Sequence, residues 1–292
     1  EYLLNGRNLD YMVVNHMEPD HCAVIPELFR RYPEMKFVGT AKTFQMMAQF
    51  YDFDAEPRAI KVKDNDVLEL GEHTLQFMTA PMVHWPEVMM ALDTSDGTFF
   101  SADAFGSFGA MSGNIFADEV EWERDWLDEC RRYYVNIVGK YGQQVMSLFK
   151  KIEGKEITKI CPLHGHIWRK DLDVIVDLYK KWATYTPEKK SVAVFYGSVY
   201  GHTGNAADIL SMKLAEKGVR DVRVYDVSKT DVSELTSVAF EYSHLVFASA
   251  TYNMQIFDEM NVFLIELLHH NLSDRVVGIM ENGSWAPAAG NL

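Results

Sequence analysis

The sequence predicts an α/β protein in two parts, a sandwich of strands and helices followed by a doubly wound parallel sheet. Three observations carry this. Two β-type hairpin patterns occur in succession between residues 67 and 101, apolar strands alternate with helices from residue 191 onward, and the polar stretch Thr186-Pro187-Glu188-Lys189-Lys190 separates the two regimes. The boundary divides residues 1–187 from residues 188–292. At 292 residues, with 48% hydrophobic and 24% charged side chains, the chain holds enough apolar material for two cores.

The apolar run Tyr11-Met12-Val13-Val14 reads as a buried strand that leads into a polar turn around Pro19. Residues 23–32 have helical spacing, 36–39 form a short strand and 41–51 a second helix. Residues 67–70 and 74–79 flank Gly71-Glu72-His73 as one hairpin, and 88–92 and 98–101 flank Ser95-Asp96-Gly97 as another, which predicts a largely antiparallel sheet. Residues 105–120 are Gly-rich and irregular, as functional lids and interface loops often are. Helices follow at 121–138 and 143–151, then a short strand at 159–161 and a helix at 171–184. Beyond the boundary, strands at 191–196, 222–227, 244–249 and 276–280 alternate with helices at 204–217 and 257–269, the pattern of a parallel sheet with crossover helices.

Composition narrows the function. A net charge of -14 repels phosphate backbones, which argues against nucleic-acid partners. No run of 18 apolar residues and no signal-peptide layout occurs, so a soluble, cytoplasmic protein without a membrane partner is expected. Cys22, Cys130 and Cys161 are odd in number and form no C-x-x-C pair, which argues against a disulfide framework and against a thiolate metal site.

The densest chemistry is Asn15-His16-Met17-Glu18-Pro19-Asp20-His21, where His16, Glu18, Asp20 and His21 offer four metal-ligating side chains just past a strand end. Mixed nitrogen and oxygen donors suit iron, manganese or zinc. His84, Asp103 and His164 sit at later strand ends, each in the kind of loop where a scaffold displays chemistry. Taken alone, each of the three reads first as a structural residue, since a single His or Asp at a strand end is commonplace. In the second part, Gly197-Ser198-Val199-Tyr200-Gly201-His202-Thr203-Gly204-Asn205 links the first strand to the first helix. Hydroxyls and backbone N–H groups at a helix start form a natural phosphate site, although a plain helix cap has the same look. Ala250-Thr251-Tyr252-Asn253-Met254 and Asn282-Gly283-Ser284-Trp285 follow the third and fourth strands. All three loops would meet at the switch point of a doubly wound sheet, with Tyr252 and Trp285 able to cover a flat ring.

His16-x-Glu18-x-Asp20-His21, His84 within His-Trp-Pro, Asp103 within Ser-Ala-Asp and His164 within Leu-His-Gly together resemble the di-iron ligand set of the flavodiiron proteins. The loop at 197–205 likewise resembles the FMN phosphate loop of flavodoxins. The resemblance implies a metallo-β-lactamase-like αββα sandwich followed by a flavodoxin-like domain. One iron would take His16, Glu18 and His84, the other Asp20, His21 and His164, with Asp103 bridging the pair. FMN would bind Ser198, Val199, Tyr200, Gly201, His202, Thr203, Ala250, Thr251, Tyr252, Asn253, Asn282, Gly283, Ser284 and Trp285. The implied activity is reduction of dioxygen to water, nitric oxide to nitrous oxide, or both, with FMN and two iron ions as cofactors. A rubredoxin-like or other small electron donor would feed a head-to-tail homodimer or a dimer of dimers. Two rival readings are a zinc-dependent hydrolase of the lactamase fold and a flavodoxin-like carrier with a structural metal domain. Hydrolases of this fold carry a histidine where this chain has Glu18, and a carboxylate there favours iron. His166, in Leu163-His164-Gly165-His166, departs from the family pattern and is read as a residue behind the ligands or an exposed one. The resemblance also implies strands before the metal motif and a helix, strand and helix after the last loop. Their absence makes this chain look shortened at both ends.

Overall fold

The computed structural model describes residues 2–292. The chain folds into two compact units that are discontinuous in sequence: residues up to Cys130 join Gln143–Val176, and Arg131–Gly142 joins Asp177–Leu292. The sequence boundary at 187/188 lies within the second unit.

In the first unit, β1 (Tyr11–Val13) leads through the one-turn helix α1 (Pro19–Cys22) and α2 (Ile25–Arg31) to β2 (Lys36–Gly39). Helix α3 (Ala41–Phe50) starts at a capping box, in which Thr40 Oγ1 accepts from the Thr43 amide and the Thr43 hydroxyl accepts from the Thr40 amide. It buries Phe44 and Met47 against Val14, Met17, Ile25 and Phe37. β3 (Ala59–Lys61) has no counterpart among the strands expected from sequence. It completes a parallel three-stranded sheet in the order β1-β2-β3, where the sequence predicts a largely antiparallel sheet.

The expected hairpins form the second sheet. β4 (Val67–Glu69), β5 (Thr74–Thr79), β6 (Met89–Asp93) and β7 (Thr98–Phe100) pair antiparallel in sequence order, and β8 (Lys159–Cys161) joins β7 in parallel. All five residues of β6 are buried, so both of its faces are covered. The predicted helix over 121–138 is broken into α4 (Trp122–Asp125), α5 (Leu127–Tyr133) and a π-helical turn, Tyr134–Val138. The break falls at Trp126, whose backbone leaves the helical region while its ring packs edge-on to His166 at 4.5 Å. Tertiary packing of that ring overrides the local periodicity.

α6 (Gly142–Ile152) and α7 (Leu172–Ala183) precede the second sheet. The segment Arg131–Gly142 belongs to the second unit, where Tyr134 packs on Tyr179 and Trp182 at 4.9 and 5.3 Å between ring centroids. There the buried Arg131 pairs with Glu188, which also accepts from the Trp182 indole at 2.6 Å.

The doubly wound sheet has β9 (Lys189–Gly197), α8 (His202–Glu216), β10 (Arg223–Asp226), α9 (Val232–Glu241), β11 (Tyr242–Tyr252), the short β12 (Gln255–Ile256), α10 (Asp258–His269) and β13 (Val276–Asn282). Strand order is β10-β9-β11-β13, all parallel, with β12 antiparallel at the end of β11. β9 is apolar on both faces. Ala193 and Phe195 pack with Leu235, Ala239 and Phe263, while Val192 and Val194 pack with Ala207, which is why the strand reads as a continuous run. Helix α9 is an addition to the elements expected from sequence. Among the described residues no helix is long and apolar enough to cross a membrane.

Candidate metal and flavin sites

Four strand ends deliver the candidate metal ligands within the first unit. His16 lies just beyond β1, and reciprocal bonds hold its loop to β6: the Met89 amide donates to the Asn15 carbonyl at 2.9 Å and the Asn15 side chain donates to the Met89 carbonyl at 2.8 Å. Glu18 precedes α1 in extended conformation, so Asp20 and His21 follow on a tight turn and face the same space. His84 sits on the β5–β6 loop, Asp103 just after β7 and His164 just after β8. Gly165 turns the His164 loop with φ +77°, and a Cβ there would lie 2.3 Å from Ser107 Oγ, so the two loops touch backbone to side chain.

The seven side chains gather as two groups. His16, Glu18, His84 and Asp103 form one, and Asp20, His21 and His164 the other; within each group, the ligand atoms lie within 4.8 Å of one another. Asp103 faces both. Its Oδ2 is 3.0 Å from His84 Nε2 and 3.3 Å from His16 Nε2, and its Oδ1 is 3.0 Å from His21 Nε2 and 3.8 Å from His164 Nε2. Asp20 Oδ2 lies 3.2 Å from His164 Nε2, and Glu18 Oε2 lies 3.0 Å from His84 Nε2.

The donor set fits metal ions. Glu18 Oε2 and Asp103 Oδ2 are acceptors as ionised carboxylates, His16 Nε2 and His84 Nε2 are acceptors wherever they carry no proton, and acceptors crowded this closely need protons or a cation between them. His21 Nε2 and Asp103 Oδ1 are buried and make no hydrogen bond even though they are 3.0 Å apart. Burial opposes a charge on His16, but Asp103 and Glu87 outweigh it and raise its pKa to about 9. Burial likewise works against the Asp103 carboxylate, yet the neighbouring imidazoles of His16, His21 and His84 outweigh it and hold it far below the usual carboxylate range.

One residue of this centre is not marked by any sequence motif. Glu87, on the loop of His84, is buried and accepts from His16 Nδ1 at 2.7 Å. His166 is buried rather than exposed and packs on Trp126, outside both ligand groups.

In the second unit, the loops after β9, β11 and β13 line a cleft at the carboxyl ends of the strands, where β9 and β11 are neighbours. Ser198, Val199, Tyr200, His202, Thr203, Ala250, Thr251, Asn282, Gly283 and Ser284 line one part of it, and Tyr252, Asn253 and Trp285 an adjoining part. Gly201 is not among the lining residues; it supplies the turn into α8 with φ +84°. Ser198 Oγ is buried without a hydrogen-bond partner beside the start of α8, as a phosphate-binding hydroxyl would be. Trp285 is 85% exposed, leaving its ring free to cover a bound planar group.

Comparison with known proteins identifies relatives of this chain. A protein-family model described as ODP family beta lactamase matches residues 1–165. The coenzyme F420H2 oxidase of Methanothermobacter marburgensis is 32% identical over 86% of this chain and 61% of its own length. The anaerobic nitric oxide reductase flavorubredoxin of Escherichia coli is 28% identical over 99% of this chain and 62% of its own length. This chain thus spans about three fifths of the length of those relatives. The solved structure of a flavo di-iron protein variant from Thermotoga maritima superposes with a TM-score of 0.84 at 26% identity, covering 96% of this chain and 69% of that one. The lactamase-like fold joined to a flavodoxin-like sheet, together with these likenesses, makes the chain a member of the flavodiiron protein family.

Proposed function

We propose that the chain is the catalytic core of an oxidoreductase that uses FMN and two iron ions to reduce dioxygen to water, nitric oxide to nitrous oxide, or both. The observation that carries this reading is Asp103, a buried carboxylate with one oxygen turned to each of two His/carboxylate groups. In this reading residues 1–187 carry the metal chemistry and residues 188–292 the flavin. His16, Glu18 and His84 hold one iron, Asp20, His21 and His164 the other, and Asp103 joins them. When bound, FMN relays electrons and the iron pair supplies the place where the small oxidant is reduced.

The chain's own residues do the rest. Glu18, Asp20 and Asp103 bring negative charge that offsets the repulsion between two cations. Ser198 and Thr203, with the backbone at the start of α8, hold the phosphate; Thr203 already accepts from the Asn282 side chain at 3.4 Å, which ties two of the three loops together. Tyr252 and Trp285 flank the ring. The names of the relatives, a coenzyme F420H2 oxidase and an anaerobic nitric oxide reductase flavorubredoxin, support small oxidants and a rubredoxin-like donor. A cytoplasmic, head-to-tail homodimer or dimer of dimers, with the flavin of one chain beside the metals of the next, completes the proposal.

The test is iron and flavin content of the purified protein, followed by anaerobic reduction and addition of nitric oxide or dioxygen. We expect about two irons and one FMN per chain, with the flavin reoxidised by nitric oxide much faster in metal-loaded than in metal-depleted protein. Zinc in place of iron, or reoxidation indifferent to the metals, overturns the reading.

A further inference from the structure

Glu87 stands three residues after His84 on the β5–β6 loop, and both its own side chain and that of His16 are fully shielded from solvent. A carboxylate only accepts, so the contact between His16 Nδ1 and Glu87 Oε1, 2.7 Å, requires the proton to sit on Nδ1. The same oxygen accepts the Met17 backbone amide at 2.9 Å. His16 Nε2 is thereby the nitrogen left facing His84, Glu18 and Asp103.

Backbone pairing fixes where Glu87 stands. The Ala80 amide donates to the Val88 carbonyl and the Met82 amide to the Trp85 carbonyl, both at 2.8 Å, closing the loop around it. The Asn15–Met89 pair clamps the His16 loop on the other side. One short loop therefore supplies a candidate ligand, His84, and the carboxylate that faces the back of another. A carboxylate behind a metal-bound imidazole fixes its tautomer and strengthens its donor nitrogen.

We propose that Glu87 is a positioning residue of the metal centre, holding His16 in the tautomer that presents Nε2 and fixing the Met17 amide so that the loop from His16 to Glu18 keeps its shape. This rests on the reading of His16 as a ligand. Two measurements test it. Histidine ¹⁵N NMR of the zinc-loaded, otherwise unaltered protein is expected to find the His16 proton on Nδ1 and the ion on Nε2. Ferrous-ion titration of the full chain is expected to give an affinity about 10–100-fold weaker in Glu87→Gln than in wild type, since the amide can donate to Nδ1 as well as accept from it and no longer selects one tautomer. A purely structural Glu87 would lower the melting temperature of the metal-free protein and leave the affinity unchanged. A folded Glu87→Gln protein with wild-type affinity, or a zinc-loaded wild type with the ion on His16 Nδ1, overturns the proposal. If Glu87→Gln does not fold, the wild-type spectrum decides alone. Wild-type protein that takes up no ion overturns the parent reading instead.

Discussion

Gly165→Ala is expected to destabilise the first unit through two separable effects. The residue sits at φ +77°, where a side chain costs about 1 kcal/mol or somewhat more. Its new Cβ would also lie 2.3 Å from Ser107 Oγ, 3.0 Å from the Ser107 amide nitrogen and 3.3 Å from Ser107 Cβ. The hydroxyl makes no hydrogen bond and can swing aside, but the amide cannot, so overpacking adds about 1–3 kcal/mol. Gly154→Ala isolates the first effect, because Gly154 has φ +74° with nothing within 4 Å of its would-be Cβ. The entropy lost from the unfolded chain is the same in both variants and cancels. The difference between them, about 2 kcal/mol, corresponds to a melting temperature about 4–8 °C lower for Gly165→Ala at the size of the first unit. Thermal and urea unfolding of metal-free protein measure it. Combining Gly165→Ala with Ser107→Gly removes the two side-chain contacts and should recover part of the excess. Equal destabilisation of the two single variants would refute the close approach of the Asp103 and His164 loops.

Other outcomes follow from the same geometry. Asp103→Asn removes the one carboxylate that faces both groups and is expected to lower bound iron from about two equivalents to one or fewer, read by metal analysis. Ser198→Ala should weaken FMN binding about 10–100-fold, the worth of a hydrogen bond to a charged phosphate, while riboflavin, which has no phosphate, binds the variant as it binds wild type. Asp64 accepts from Lys151 and from the Thr79 amide and hydroxyl; burial pushes its pKa up, but these partners outweigh that and hold it below the usual range. A depressed carboxylate stabilises the fold above its unfolded pKa of about 3.9, and the benefit disappears as pH falls through the folded value. Asp64→Asn should therefore unfold at lower urea than wild type at pH 7, with the gap closing below about pH 4.

Much of this molecule is legible in its sequence because its signals are local. Apolar runs around the turns Gly71-Glu72-His73 and Ser95-Asp96-Gly97 locate β5 to β7, the run that ends at Gly197 locates β9, and the spacing of His16, Glu18, Asp20 and His21 marks the candidate metal site. What escapes a reading of the sequence depends on distant partners. β3 is three residues long and exists because β2 offers it a parallel edge. Helix α9 opens at Asp231, whose side chain caps the Ser233 amide, with Glu234 three residues on; the Ser and Thr within it mask that start signal. Glu87 looks like any acid beside a proline until backbone pairing brings it behind His16, 71 residues away in sequence.

The excursion of Arg131–Gly142 into the second unit has a consequence for the chain during synthesis. The first unit has all its residues once Val176 has been made, yet Tyr134 still waits for Tyr179 and Trp182, and the turn it opens waits for α9. Until those residues leave the ribosome, an apolar stretch looped out of a finished neighbour stays uncovered, and in that interval chaperones and aggregation compete for it.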